Sequence, residues 1–380
     1  MTSTEIASPA YVLEEARLLD NLRTIDAVRR RAGVDIILAL KAFALWRVFP
    51  QMRPYVSGAT ASSLNEARLI TDHLDQPVHT YAVAYTEAEF DQIAALSSHL
   101  TFNSVGQYER FRARLPRGVS PGIRINPEYS TVETDLYNPA APNSRLGVPI
   151  ADFPDALPVG IEGLHFHTLC ESSSHDLERT LRAVEERFGQ FLPHLRWLNL
   201  GGGHLMTRAD YDRDHLVKIL VDFRQRHNLH LILEPGSAFA WQTGYLVSTV
   251  LDVHIANGVK TLILDVSFTA HMPDTLEMPY TPAVRGARVV GADESIAAGE
   301  YRYRLGGMSC LAGDSVGDYA FARELAVGEQ LVLEDMLHYT TVKTTTFNGV
   351  PHPDLAIARP DGRVEVVRRF GYEDYESRLG

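Results

Sequence analysis

Residues 196–236 read RWLNLGGGHLMTRADYDRDHLVKILVDFRQRHNLHLILEPG. A short apolar run, Arg196–Leu200, stops at Gly201-Gly202-Gly203. Arg213–His227 then carries helical spacing, and a second apolar run, His230–Glu234, stops at Pro235-Gly236. Strand, helix and strand in that order predict parallel pairing through a helical crossover. The same unit recurs upstream. Apolar runs lie at Asp35–Lys41, Val56–Thr60, Val78–Ala82, Leu100–Asn103, Gly122–Asn126 and Gly163–His167. Helix-like stretches separate many of them, at Ser63–Asp72, Ala88–Leu96, Val105–Leu115 and Leu177–Phe191. Eight runs in this length predict an α/β fold, a (β/α)8 TIM barrel of the usual size, about 250 residues. A doubly wound open sheet is the alternative.

In a barrel, the carboxyl ends of the strands meet on one face, where active sites lie. Here those ends carry Lys41, Asn103, Asn126, His167, Gly201–Gly203 and Glu234. Past about residue 245 the helical spacing fades. Short β-like pieces follow at Tyr245–Ile255, Lys260–Val266, Arg288–Gly291, Glu300–Leu305, Gln330–Glu334 and Arg363–Arg368. The expected organisation is a barrel over 16–245 and a mostly-β domain made of 1–15 and 246–380. The tail after Phe370 is polar and expected to be loose.

Composition narrows the function. The chain has 380 residues, 45% hydrophobic and 22% charged, which fits an ordinary globular protein and not a disordered one. Its net charge of −12 disfavours nucleic acid and suits a small cationic ligand. No apolar run is long enough to cross a membrane. Met1–Ala10 lacks a basic stretch followed by an apolar core, and there are only two cysteines, Cys170 and Cys310, so a cytoplasmic location is expected. Of the 36 basic residues only Lys41, Lys218, Lys260 and Lys343 are lysines. That scarcity draws attention to Lys41, which closes the apolar run Ile36–Leu40.

An ammonium at the end of an apolar strand is costly unless paired or neutralised. A desolvated lysine of lowered pKa is what Schiff-base chemistry with a carbonyl needs; a snorkelling strand-end lysine is the plainer reading. Glycines let backbone N–H groups approach an anion, and barrel phosphate sites often lie after strands seven and eight. The triple glycine follows the seventh run, where it could equally be a sharp turn. A carboxylate at Glu234 could hold a protonated pyridine nitrogen or only cap a turn. His165 and His167 share a strand face, so they read as a metal pair, as a ring set against an aromatic cofactor, or as core histidines. Cys310, on a glycine-rich loop, could donate a proton or pack as a small apolar residue. Asp265, Asp274, Glu277 and Asp314 could together form an anionic pocket for amines.

Several motifs together resemble the fold-type III PLP-dependent decarboxylases, which group with ornithine and diaminopimelate decarboxylases and the alanine racemase-like enzymes. They include LALKAFALWRVFP at 38–50, SGATASSLNEARL at 57–69, RINPEYS at 124–130 and SRLG at 144–147. Others are GLHFHTLCE at 163–171, LNLGGGH at 198–204 and EPGSAFAWQTGYLVSTVLD at 234–252. HMPDTLEMPY at 271–280, SCLAGD at 309–314 and TFNGV at 346–350 extend the likeness along nearly the whole chain.

The resemblance implies pyridoxal 5'-phosphate as cofactor, no metal, and a homodimer with shared active sites. Lys41 would be the Schiff-base lysine, His167 would lie against the pyridine ring and Glu234 would pair with the ring nitrogen. Gly202, Gly203, Gly236 and the Tyr339 hydroxyl would hold the phosphate. Glu66 and Arg124 match cofactor-proximal positions. Cys310, with Asp314 on the same loop, would serve the partner subunit's site and return a proton to the product. Asp274 would contact substrate amines. Within the family the likeness is strongest to members that decarboxylate carboxylated polyamines, the expected substrate class. Ser237, where related decarboxylases carry glutamate after Glu-Pro-Gly, is a departure beside the substrate. The rivals are a PLP decarboxylase of secondary metabolism, a metal-dependent barrel hydrolase using His165 and His167, and a PLP-binding regulator without turnover.

Overall fold

The computed structural model describes residues 6–132 and 135–380. It separates into two compact units. Leu19–Phe239 form one; the other joins the chain up to Leu18 to Ala240–Gly380.

The first unit is a parallel barrel. Its strands are Asp35–Ile36 continued by Leu38–Ala39, Ala59–Ala61, Val78–Tyr81, His99–Phe102, Ser120–Asn126, Gly163–His165, Trp197–Asn199 and His230–Leu233. Each coincides with one of the eight predicted runs. The first strand closes the ring by bonding to both neighbours. On one side Ile37 N–H donates to Leu233 O (2.9 Å) and Ala39 N–H to Pro235 O (3.2 Å). On the other, Leu38 N–H donates to Gly58 O (3.1 Å) and Leu40 N–H to Thr60 O (3.3 Å). An open doubly wound sheet has two free edges and no such double pairing, so that alternative is excluded.

Side-chain volume explains two glycines of the barrel. Trp197, Gly163 and Gly122 stand in register on adjacent strands. A Cβ at Gly163 or Gly122 would fall 2.0 or 2.3 Å from the Trp197 ring. The indole therefore lies across both strands, and its N–H reaches Ser120 Oγ at 2.8 Å. Trp197 packs with Ile37 and Ile232 into a small buried cluster. His99 meets the indole edge-on and stacks on His79 at 4.1 Å.

Helices cover the barrel. Ser174–Phe188 opens with a capping box, in which Ser173 and Asp176 satisfy each other's backbone amides. Arg213–His227 is capped by Asp212 and stops at Asn228 in a left-handed conformation. The stretch predicted as one helix from Ser63 is α-helical only over Leu64–Leu69, then widens to a π-turn over Ile70–Leu74.

The second unit is a mixed sheet. Its strand order is Ala287–Val290, Ser315–Phe321, Tyr301–Gly306, Val259–Leu264, Gly244–Ala256, Ala10–Glu14, Asp354–Ala358 and Val364–Arg368, with Gln330–Glu334 also on Gly244–Ala256. Ala10–Glu14 pairs antiparallel with Gly244–Ala256 and parallel with Asp354–Ala358. The core gathers Tyr11, Leu246, Leu262, Leu264, Tyr303 and Tyr319. The tail expected to be loose forms a helical turn, Tyr372–Glu376, whose first amides are met by Asp374 accepting from Gly371 N–H at 2.9 Å. Among the described residues, no helix is long and apolar enough to cross a membrane.

Candidate active site

Glu234 follows the last barrel strand and is buried. Its carboxylate accepts an N–H from the Asn199 amide at 2.7 Å, and its other oxygen lies 3.4 Å from His165 Nε2. Burial alone would raise its pKa. His165, the Asn199 amide and the Lys41 charge outweigh that and hold the carboxyl at about 2. Glu234 is therefore ionised at any physiological pH. His165 is pushed down by burial against the pull of Glu234.

Asn199 does two things at once. Its Nδ2 donates to Glu234, and its Oδ1 accepts from Gly201 N–H at 2.9 Å. Glu234 N–H in turn donates to Gly201 O at 2.8 Å. An amide is suited to this position, because it donates to a carboxylate on one side and accepts from a backbone amide on the other.

The glycine loop then turns through left-handed backbone at Gly201 (φ 70°) and Gly203 (φ 86°). A Cβ at Gly203 would lie 2.3 Å from the Leu169 carbonyl. Gly202 N–H donates to His167 Nδ1 at 2.9 Å. His167 is driven well below its ordinary pKa by burial, then by the Lys41 and Arg124 cations. Its ring is neutral, with Nδ1 bearing the lone pair and the proton on Nε2. The Gly202 amide is thus already engaged, and what Gly202 offers a ligand is the absence of a side chain. A Cβ there would meet Glu234 O at 2.6 Å and His167 Cε1 at 3.0 Å.

Lys41 keeps solvent access at the barrel mouth while protein crowds around it. That crowding lowers its pKa, Glu234 opposes the shift, and Arg124 lowers it further. Arg124 is buried, donates to His167 O at 3.1 Å and lies 4.7 Å over the Tyr81 ring. Glu66 is raised by burial and accepts from Ser62 N–H at 2.5 Å. Cys170 is half-buried in the same electrostatic neighbourhood, its thiol pushed up by burial and by Glu171 against the pull of Lys41. Gly236 approaches the first strand so closely that a Cβ would lie 2.4 Å from Ala42 Cβ. Ser237, half-buried, opens the short helix Ser237–Ala240. Asn103 and Asn126, the other polar strand ends, are engaged by neighbouring groups of the chain. Asn103 accepts from Tyr81 O–H and Gly147 N–H, both at 2.8 Å, and Asn126 accepts from Glu128 N–H at 2.8 Å.

The candidate residues of the sheet unit behave differently. Asp265 accepts from Ser248 Oγ (2.7 Å), Thr249 N–H (2.8 Å) and Ser8 Oγ (2.5 Å). Glu277 is paired with Lys343. Asp314 is buried, and its oxygens accept the N–H groups of Thr269 and Ser309, both at 3.0 Å. Three of the four acids expected to form an amine pocket are therefore spent on their own chain. Asp274 differs. Its Oδ2 accepts from Tyr280 O–H at 2.8 Å, and its buried Oδ1 has no partner. Cys310 is exposed, on a loop held by Cys310 N–H to Asn348 Oδ1 at 3.1 Å. Tyr339 has φ 54° and ψ −49°, a conformation that costs a bulky residue roughly 1–3 kcal/mol and tends to persist where function requires it.

Sequence reading passed over Asn199 and Tyr81. Asn199 lay inside the quoted LNLGGGH segment, and its place on the strand next to Glu234 was the available signal. Tyr81 ends a barrel strand, as Lys41 and His167 nearly do.

A barrel mouth that gathers an ionised carboxylate, a neutral imidazole, a glycine loop and an amine of lowered pKa is equipped to hold a protonated pyridine ring beside a nucleophile. His165, His167 and Glu234 also bring donor atoms within 4.8 Å of one another, as a metal site would. Comparison with known proteins decides between these. The family model described as pyridoxal-dependent decarboxylase, C-terminal sheet domain, matches residues 11–336. A carboxyaminopropylagmatine decarboxylase of Synechocystis sp. is 52% identical over 379 residues, covering 99% of this chain and 96% of its own length. A carboxynorspermidine/carboxyspermidine decarboxylase of Campylobacter jejuni is 40% identical over 379 residues, covering 98% and 99%. The crystal structure of carboxynorspermidine decarboxylase from Campylobacter jejuni, complexed with norspermidine, superposes with a TM-score of 0.91 at 39% identity, covering 98% of this chain and all of that one. The chain belongs to the pyridoxal-dependent decarboxylase family. It is a carboxy-lyase with pyridoxal 5'-phosphate as its cofactor.

Proposed function

We propose that this enzyme removes the α-carboxylate of a carboxylated polyamine, carboxynorspermidine or carboxyspermidine, to give norspermidine or spermidine. The observation that carries the reading is the buried, unpartnered Asp274 Oδ1, an anionic acceptor suited to a substrate ammonium. Full-length similarity to the polyamine-type decarboxylases supports it. The net charge of −12 favours such a cationic substrate over nucleic acid, and two free cysteines suit a cytoplasmic setting.

The bound cofactor supplies an electron sink for the pair left at Cα when carbon dioxide departs. The chain's own residues do the rest. Lys41 provides the amine to which the cofactor is attached, and its lowered pKa raises the nucleophilic fraction. Glu234, permanently ionised, holds the proton on the ring nitrogen, and Asn199 and His165 keep it in place. His167 presents a neutral ring, and Arg124 and Glu66 complete the polar surroundings. Gly202, Gly203 and Gly236 would hold the phosphate by leaving room for it, and the Tyr339 hydroxyl would donate to it. Cys310 gives Cα the proton that replaces the lost carboxylate. Asp314, engaged by the Ser309 and Thr269 amides, shapes the loop that presents Cys310. Ser237, next to Gly236, would offer the substrate a hydroxyl and no charge.

We assign the barrel the cofactor and the sheet unit the substrate and dimer contacts. Met308 and Leu311 flank Cys310, Phe347 neighbours its partner Asn348, and all three are exposed. Apolar groups clustered around a reactive thiol suit burial against a second copy, in which Cys310 serves the partner's site.

A second substrate is favoured by one observation. The relative at 52% identity is a carboxyaminopropylagmatine decarboxylase. Its substrate would end in a guanidinium where the polyamines end in an ammonium. Carbon dioxide release from carboxynorspermidine, carboxyspermidine and carboxyaminopropylagmatine, with wild type and Asp274→Asn, tests both readings. The proposal expects turnover of the polyamines and a KM raised about tenfold in the variant with kcat kept. Turnover confined to the guanidino substrate would replace the first reading with the second. An unchanged KM would remove Asp274 from the site.

A further inference from the structure

Among the described residues, one cluster of metal-ligating side chains is not used by the site above. His175 and Glu178 lie one turn apart on the helix Ser174–Phe188, so both project from the same face. His215 lies in the first turn of Arg213–His227, the helix packed beside it. Donor atoms of His175, Glu178 and His215 all fall within 4.8 Å of one another.

Three details make this more than a charged surface. A tetrahedral ion with bonds of about 2.0–2.1 Å holds its donors about 3.4 Å apart. His215 Nε2 and Glu178 Oε2 already stand 3.4 Å apart. The exposed His175 stacks on the His215 ring at 4.1 Å and 26°, so a turn of its side chain, free to move at the surface, brings a nitrogen to the same ion. Second, the buried Ser174 holds His215 Nδ1 at 3.0 Å. That bond fixes the ring and leaves Nε2 for the ion, the usual outer-shell arrangement of a metal-bound histidine. Third, Arg182 occupies the other Glu178 oxygen at 2.7 Å, which leaves Oε2 facing the two imidazoles. The helix N-termini modestly disfavour a cation; Glu178 supplies the opposing charge.

We propose that His175, Glu178 and His215 form a divalent transition-metal site of the zinc type, with water completing the shell. Two imidazoles and one carboxylate select zinc or its neighbours over calcium or magnesium. The ion would clip together the helices that follow two site loops, the one carrying His167 and the one carrying Gly201–Gly203. Those loops are already joined by Ser172 N–H to Gly203 O at 2.8 Å, so the clip would stiffen their outer ends. The site does not depend on the substrate assignment.

The test is titration of metal-stripped, PLP-loaded protein with Zn2+ by calorimetry and with Co2+ by visible absorption. Wild type is expected to take one equivalent per chain, with the intense Co2+ bands of a tetrahedral site and a rise in Tm. His215→Ala and the exposed His175→Ala should each weaken binding more than tenfold, and Ser174→Ala about 10–100-fold. His165→Ala should leave it unchanged, which separates this site from the buried His165, His167 and Glu234 group. The proposal is overturned if wild type binds no stoichiometric ion, or if affinity survives in both His175→Ala and His215→Ala.

Discussion

The barrel and the sheet unit hold their reactive residues in opposite ways. In the barrel, Glu234, Asn199, Gly201, Gly202 and His167 are joined by a continuous set of hydrogen bonds of 2.7–2.9 Å. Burial and mutual charge then fix their protonation, with Glu234 ionised and His167 neutral. In the sheet unit, Asp265, Glu277 and Asp314 are spent on neighbouring hydroxyls, backbone amides or Lys343, while Cys310 is exposed and Asp274 Oδ1 is unpartnered. Chemistry that is the same for every substrate is preorganised inside one rigid network. On the proposed reading, the groups assigned to the substrate and to a second subunit, Asp274 and Cys310, are the ones left with free valence.

That contrast can be broken in several places. The largest effect belongs to Lys41→Ala, which should lower kcat/KM on the order of 10⁴-fold, the scale of removing a group that acts as the nucleophile. Cys310→Ala should cost about 10²–10³-fold, the range of a lost proton donor. If Cys310 acts in the partner's site, mixing Lys41→Ala with Cys310→Ala protein should restore activity to about one quarter of wild type, since half the dimers then carry one intact site. No recovery on mixing would return Cys310 to its own subunit.

Asn199→Asp sharpens the comparison within the barrel. It sets a second carboxylate against Glu234, and like charges raise one pKa of such a pair. The lost donor leaves a buried carboxylate short of a hydrogen bond, at about 1–3 kcal/mol. Cofactor retention after dialysis should fall about tenfold or more, with the loss varying with pH in the variant and not in wild type. Retention as in wild type would show that the Asn199–Glu234 bond does not govern cofactor binding.

The smallest effect is on stability. Burial holds His79 at about 3, and His204 and His271 at about 4, below the ordinary imidazole value. A lowered histidine pKa means the unfolded chain binds protons that the folded one does not. Stability is therefore full above about pH 6.5 and falls as pH drops toward 4, by up to about 1.4 kcal/mol per pH unit for each such group. His79 and His204, with the lowered His99, His165 and His167, lie in the barrel, whereas His271 and the partly shifted His352 lie in the sheet unit. Hydrogen exchange at pH 5 should show barrel strands opening before sheet strands. Sheet opening first would contradict this.

The same contrast explains what could be read from the sequence. All eight barrel strands were legible, because buried parallel strands are mostly apolar and most of these runs stop at a reactive or glycine residue, among them Lys41, Asn103, Asn126, His167, Gly201 and Glu234. The sheet was only partly legible. Ser315–Phe321 opens with SVGD, in which only Val316 is buried, and Asp354–Ala358 is short and alanine-rich. The tail was read as loose because its capping, Asp374 on Gly371 N–H, is a polar local event with no apolar signature. Within the site, residue types identified Lys41, His167 and Glu234. Asn199 was missed because an asparagine on a strand becomes informative only once Glu234 is known to sit on the next one. The acids of the second unit were over-read, since sequence shows a carboxylate but not whether an amide has already claimed it.

The most direct test is the absorption spectrum of PLP-loaded protein in wild type, Lys41→Ala, Asp274→Asn and Cys310→Ala. A barrel that supplies the lysine for the cofactor predicts the visible band of lysine-bound PLP in wild type and in both sheet-unit variants, and its loss in Lys41→Ala alone. The band surviving in Lys41→Ala, or vanishing in Asp274→Asn, would contradict the division of labour argued for the two units.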